Sequence, residues 1–155
     1  MRVPPETQTE DGFVAVDWTV EDYGLVRGMR YHDGRLAGVE IGDGRVRVVV
    51  HPVGGGVTTF EFGGEVAFGS TGLASDDIVL DVWAFRLNSG AEPPIALKGA
   101  VGAFYGDALY DEDVGAAVQR ICAENAGRLL VSFSCACTSE FSILADDMRV
   151  AKAGY

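Results

Sequence analysis

The sequence predicts a mainly β protein of α+β class: an antiparallel meander continuing as a curved sheet or sandwich, with one amphipathic helix at about 111–126. Three observations predict it. Asp33-Gly34 and Asp43-Gly44 stand ten residues apart between alternating runs, and Asp-Gly supplies the positive φ that a two-residue hairpin turn needs. Apolar runs of strand length, alternating or continuous, recur from 13 to 152. A single stretch places apolar residues at helical spacing: Val114, Ala117, Val118, Ile121 and Cys122.

Residues 1–11 read as a polar lead-in with Pro4-Pro5 and three carboxylates, expected to be poorly ordered. Residues 13–18 then alternate as a first strand, until Glu21-Asp22-Tyr23-Gly24 interrupts. The meander follows. A two-residue turn at Asp43-Gly44 sets Ile41 opposite Val46, Val39 opposite Val48 and Ala37 opposite Val50, with Glu40 against Arg47 and Leu36 against His51. A turn of three residues would mix apolar and charged faces along the whole ladder. Extended backwards across Asp33-Gly34, the pattern pairs Tyr31 with Leu36, Met29 with Gly38 and Arg27 with Glu40, giving an outer row of Arg27, Glu40 and Arg47.

His51 to Gly56 reads as a loop, because Pro52 lacks a ladder donor and three glycines favour neither helix nor sheet. Residues 57–62 alternate, with Thr58, Phe60 and Phe62 on one side, and Gly63-Gly64 closes that strand. The stretch 66–77 is turn-rich. Strand resumes over 78–87, with Ile78, Leu80, Val82 and Ala84 facing one way and Val79, Trp83 and Phe85 the other, around Asp81. Apolar side chains on both faces predict a central strand or one covered by another element.

Residues 89–94 are a candidate linker too short to divide the chain, so 1–155 is one domain. Phe104, Tyr105 and Tyr110 among glycines make 95–110 a strand pair or a packed loop. The helix follows, with Asp111, Glu112 and Asp113 at its first turn and Gly127 at its end. Strand returns over 129–138, and 140–145 and 148–152 read as short strands around Asp146-Asp147.

The net charge of −11 over 155 residues repels phosphate backbones and anionic membrane surfaces, which argues against nucleic-acid or membrane partners. It suits a basic protein partner. No apolar run approaches the ~20 residues of a membrane span. Three cysteines and a lead-in that is not a secretory signal predict a reduced, cytoplasmic setting.

Cys135 and Cys137 project from one face of a strand in line with Val131 and Phe133, which reads as core packing rather than metal or redox chemistry. No metal and no cofactor is expected. His32-Asp33 beside His51 could form a histidine held by a carboxylate, a general base or a metal ligand; the turn itself also accounts for Asp33. The glycine loops precede strands, not a helix N-terminus, and lack a nucleotide fingerprint. Ser70 and Ser139 have no base placed beside them. The expected binding residues are therefore His32, His51, Trp18, Tyr31, Asp111, Glu112 and Asp113, with aromatic anchors among carboxylates and no catalytic residue assigned.

Tyr31-His32-Asp33-Gly34-Arg35-Leu36 with Val39-Glu40-Ile41, a valine strand and Thr59-Phe60-Glu61-Phe62 resembles the opening of small bacterial β-rich proteins. Some of these are similar to immunity proteins of polymorphic toxin systems. The resemblance covers about a fifth of the chain and carries no site residue across. It implies a non-enzymatic protein that binds and blocks a partner, to which acidic charge would steer a basic toxin domain. Two other readings stand beside it: a small-ligand or metal-dependent β-barrel enzyme with a site near His32 and His51, and a homo-oligomer built by pairing exposed edge strands.

Overall fold

The computed structural model describes residues 12–74, 76–88, 95–105, 113–137 and 139–155. In chain order the elements are β1 (Val14–Val16), β2 (Thr19–Val20), β3 (Val26–Arg27), β4 (Gly34–Gly42), β5 (Arg45–His51), β6 (Val57–Gly63), β7 (Ala67–Gly72) and β8 (Ile78–Arg86). Helices α1 (Ile95–Tyr105) and α2 (Val114–Glu124) follow, then β9 (Leu129–Cys135), β10 (Glu140–Ala145) and β11 (Asp147–Ala153). Among the described residues, nine strands form one antiparallel sheet in the order β1-β11-β6-β5-β4-β8-β9-β10-β7, and β2 pairs with β3 as a separate ribbon.

The mainly β class is as the sequence predicts, and the curvature comes from how few bonds join the two leaves of the sheet. β4 pairs with β8 only at Gly34–Val79 and Arg35–Ile78. Beyond that point the sheet folds over, so that β1-β11-β6-β5-β4 faces β8-β9-β10-β7 across the core. Across the fold the chain passes from β10 to β11 through Asp146, whose N–H donates to the Gly63 carbonyl at 3.1 Å. The sheet stays open, with β1 and β7 as its edges. A closed barrel is therefore not what these strands make.

Between the leaves Val46, Val48, Val50, Phe60, Phe62 and Val150 meet Val79, Val82, Val131, Phe133, Phe141 and Ile143. The Phe133 ring is edge-on to Phe60 at 5.2 Å and stacked on Phe141 at 4.8 Å. A second core lies on the outer face of the β8-β9-β10 leaf, where Phe85, Leu87, Leu130 and Leu144 are covered by Leu97, Val101, Val118 and Ile121 of the helices. That cover explains why 78–87 is apolar on both faces.

Asp43 (φ 52) and Gly44 (φ 70) form the expected left-handed turn, and Ile41–Val46, Glu40–Arg47 and Val39–Val48 pair as the alternation requires. The register then shifts. A bulge between Leu36 and Gly38 leaves Ala37 out, so Leu36 pairs with Val50 and Arg35 with His51, in place of the Ala37–Val50 and Leu36–His51 pairs expected above. The bulge turns Leu36 inward to 1 % exposure.

The first hairpin does not form. Its turn lies one residue earlier: Gly34 N–H donates to the Tyr31 carbonyl at 2.8 Å, and Asp33 alone carries a positive φ of 62. Gly34 serves close approach instead, since a Cβ there would lie 2.8 Å from the Tyr31 carbonyl oxygen and from Val50. Upstream, Gly28 (φ 114) ends β3, and β3 pairs with β2 rather than β4. The outer row of Arg27, Glu40 and Arg47 is thus reduced to Glu40–Arg47, at 3.9 Å. The three-stranded meander exists one strand later, as β4-β5-β6.

Other departures share one cause, that glycine and bulges hide periodicity. Residues 95–105 are helical despite Gly99 and Gly102, because Leu97, Ala100, Val101 and Phe104 still recur on one face. That helix sits so close to β7 that a Cβ at Gly69 would collide with the Phe104 carbonyl. β7 itself, inside the turn-rich 66–77, is a strand laid along β10. A register shift between Val79 and Asp81 moves Val79 onto the side of Val82 and Ala84. α2 starts at Val114, with Asp113 as its N-cap and its carboxylate accepting from Gly115 N–H at 3.2 Å. The lead-in 1–11, the linker 89–94, and Tyr110, Asp111 and Glu112 lie outside the described residues.

Candidate binding surface

The residues singled out in the sequence fall into three surroundings. His32 sits at the tip of the turn before β4, exposed, with Nδ1 2.5 Å from the Leu80 carbonyl, a contact that requires the ring proton on Nδ1. Its Nε2 is 3.7 Å from Asp33 Oδ1, both side chains being exposed. The carboxylate therefore does not orient an N–H of the neutral ring, as a general-base pair would need. His51 ends β5 opposite Arg35, also exposed. The two histidines flank Gly34 through their backbones, but only His32 lines the cleft of about 300 Å³ formed by residues 26–32 and Val53.

Tyr31 and Trp18 point inward. The Tyr31 hydroxyl donates to the Val26 carbonyl at 2.5 Å, its ring meets Phe60 at 6.2 Å, and 6 % of the residue is exposed. Burial pushes its phenol above the usual range, partly opposed by the Val82 backbone N–H. Trp18 Nε1 donates to the Met148 carbonyl at 3.0 Å, which ties the segment after β1 to β11. Asp113 is spent on capping α2.

A buried carboxylate absent from the sequence reading organises the far end of β8. Asp77 is 5 % exposed. Its Oδ1 accepts from Ile78 N–H at 2.8 Å and Cys137 N–H at 3.0 Å, and its Oδ2 from Ser139 N–H at 2.8 Å. Ser139 in turn bonds Ala74 through both its hydroxyl contacts, at 2.7 and 3.2 Å. These bonds lock the β9–β10 turn onto the β7–β8 connection. The turn carries Cys137 out of the apolar stripe, so Cys137 is exposed while Cys135 remains partly buried and Cys122 is buried.

Burial, with the Asp77 carboxylate and Cys137 adding to it, pushes the Cys135 thiol up to about 12. A thiol so held is not a nucleophile at neutral pH. Among the described residues no group of three His, Cys, Asp or Glu could hold a metal ion. Alkylation of the folded protein at pH 8 is expected to modify Cys137 rapidly and Cys135 and Cys122 only on unfolding; rapid loss of two or three thiols would contradict this. The same shift predicts an alkaline limit. The folded value of Cys135 lies above the ordinary 9.0, so the stability it contributes is complete below pH 9 and is lost as pH rises toward 12. Tyr31 acts with the same sign. Urea midpoints measured from pH 7 to 11 should hold steady to about 9 and then fall.

Charge is distributed unevenly over the surface. Arg45 pairs with Glu61 at 3.1 Å, Arg35 with Asp76 at 3.6 Å, Arg120 with Glu124 at 3.5 Å and Arg128 with Asp146 at 3.3 Å. Arg30 and Lys152 instead lie over the Tyr155 ring, at 4.9 and 5.5 Å. The segment that carries the β2–β3 ribbon holds Asp17, Glu21 and Asp22 with one guanidinium, Arg27, which pairs with Glu21 at 3.4 Å. There Tyr23, 51 % exposed, stands edge-on to Trp83 at 6.2 Å, and Val20 is 40 % exposed. The sequence signal was the interruption Glu21-Asp22-Tyr23-Gly24, an aromatic set at a turn directly after two carboxylates.

No helix among the described residues is long and apolar enough to cross a membrane. Comparison with protein-family models, with curated proteins and with solved structures finds no match to this chain.

Proposed function

We propose that this chain is a non-enzymatic acidic binding protein that occupies and blocks a basic protein partner, in the manner of an immunity protein. The observation that carries the proposal is the charge: 23 carboxylates against 12 lysines and arginines, with several of the arginines already neutralised by carboxylates on the surface. The surplus is negative, and it is available for steering a positively charged surface into contact.

The placement of the candidate residues supports only the non-enzymatic half of this reading. Tyr31, Trp18 and Asp113 spend polar groups within the fold, and His32 is engaged by a backbone carbonyl. Mixing the purified protein with each product encoded beside its gene, and following mass by light scattering, tests the proposal. A stable complex with a basic neighbour, and loss of that neighbour's activity within it, is expected. No complex with any basic neighbour at low salt would overturn it.

A further inference from the structure

We infer that the outer face of the β1-β11-β6-β5-β4 leaf is a self-association surface whose occupant is a second copy of this chain. The described helices lie on the other leaf, where they cover β8, β9 and β10. No described helix covers the first leaf. At Gly38 and Gly42 of β4 an added Cβ would meet nothing within 4 Å, so that end of the face is open. Because Val46, Val48, Phe60, Phe62, Met148 and Val150 turn into the core, the positions between them face outward. There Arg149 pairs with Glu61, Glu61 with Arg47 and Arg47 with Glu40. One row thus crosses four strands with charges that alternate. The next row, Ala15, Ala151, Thr59, Val49 and Gly38, holds nothing larger than valine. Thr59 lies low in it, 5 % exposed, with its hydroxyl donating to the Ala151 carbonyl at 3.4 Å. The Arg47 guanidinium lies over the Phe13 ring at 5.6 Å, which brings an aromatic ring onto the same face.

Charge selects the occupant. Away from the Arg35–Asp76 pair where the sheet folds over, the charged outward strand positions are Arg45, Arg47 and Arg149 with Glu40, Glu61 and Asp147. The face is therefore neutral in a chain of 23 carboxylates against 12 lysines and arginines. The surplus that drives two copies apart lies elsewhere, and it stays open to a basic partner.

An alternating row of four is its own complement. A twofold axis along the strands, between β5 and β6, reverses the row and sets Arg149 against Glu40 of the second copy and Glu61 against its Arg47, with each contact made twice. A partner of uniform charge, of either sign, would meet like charge at every second position, and such juxtapositions are costly. Five strands about 4.8 Å apart and about seven residues long offer roughly 20 by 23 Å, so a dimer buries about 1,000 Å² in total, the low end for a specific interface. The dimer is therefore weak.

Sedimentation equilibrium of the full chain tests this, from about 5 to about 500 µM at about 0.15 M salt, where exposed charges more than about 8 Å apart are largely screened. A monomer–dimer equilibrium with a dissociation constant on the order of 10–100 µM is expected. Arg149→Glu should weaken the dimer at least about tenfold, because both symmetric contacts with Glu40 become repulsive. Adding Glu40→Arg restores opposite charges across the axis while setting like charges side by side within each copy, and it should recover most of the affinity. A change confined to the monomer could not be rescued in that way. Lys98→Glu on α1, which changes the net charge equally, should shift the constant by less than about twofold. Unaltered circular dichroism of each variant establishes that the fold is intact. A chain that stays monomeric throughout, a dimer indifferent to Arg149→Glu, or a double variant no tighter than Arg149→Glu alone would each overturn the inference.

Discussion

Asp77→Ala is expected to lower the unfolding free energy by about 3–5 kcal/mol, the cost of breaking a buried charged network by removing one partner. The substitution strips the acceptor from the N–H groups of Ile78, Cys137 and Ser139, which are held at 2.8, 3.0 and 2.8 Å. Asp77 also supplies a backbone carbonyl to Leu36 N–H at 2.8 Å, so the same residue fixes the point where β4 leaves β8. Asp77→Asn should fall between the two, since it keeps one acceptor oxygen but turns an amide N–H toward a neighbouring donor. Urea unfolding checks the order. A loss below about 1 kcal/mol for alanine would mean that the β9–β10 turn stands without its carboxylate.

Phe133→Ala is expected to cost about 3–5 kcal/mol, because the ring is central to the larger core and the cavity left behind cannot collapse between two stiff leaves. Phe133 is fully buried and contacts Phe60 at 5.2 Å, Phe62 at 6.3 Å and Phe141 at 4.8 Å. These rings come from β6, β9 and β10, so the residue joins both leaves where the sheet folds over. Phe133→Leu, which fills most of the volume, should cost about 1.5 kcal/mol or less. Thermal unfolding should separate the two variants by several degrees, at about 2–4 °C per kcal/mol for a chain of this size. Equal effects would show that packing at the fold is loose.

The fold was legible where local chemistry and burial agree. Asp43-Gly44 needs two left-handed residues and sits between strands whose faces alternate, so turn and register followed together as far as Val39–Val48, beyond which the bulge at Ala37 shifts the pairing. The face of α2 followed from Ala117, Val118, Ile121 and Cys122. Asp33-Gly34 misled because the same dipeptide serves a turn in which Asp33 alone is left-handed and Gly34 is needed for close approach to Val50. Nothing local distinguishes those uses. Glycine obscured α1 and β7 for a related reason: Gly69 is reserved for contact with the Phe104 carbonyl, a long-range requirement that reads in sequence as a turn.

The candidate site was less legible, because its residues are defined by what they leave unsatisfied. Tyr31 and Trp18 read as anchors by type, yet their polar atoms reach the Val26 and Met148 carbonyls. Tyr23 read as part of an interruption, and the bridge of Leu25 to Trp83 sets it on an aromatic support. Asp77 was one carboxylate among many in the sequence, and its role depends on a turn some sixty residues away.

The central claim, that surplus negative charge brings a basic protein to this chain, is tested most directly by stopped-flow association, over a salt series, with whichever basic product encoded beside the gene forms a complex with it. Steered association should approach about 10⁸ M⁻¹s⁻¹ at low salt and fall at least tenfold by physiological ionic strength and above, while dissociation changes little. An association rate near 10⁵–10⁶ M⁻¹s⁻¹ that does not respond to salt, the range typical of unsteered encounter, would contradict it.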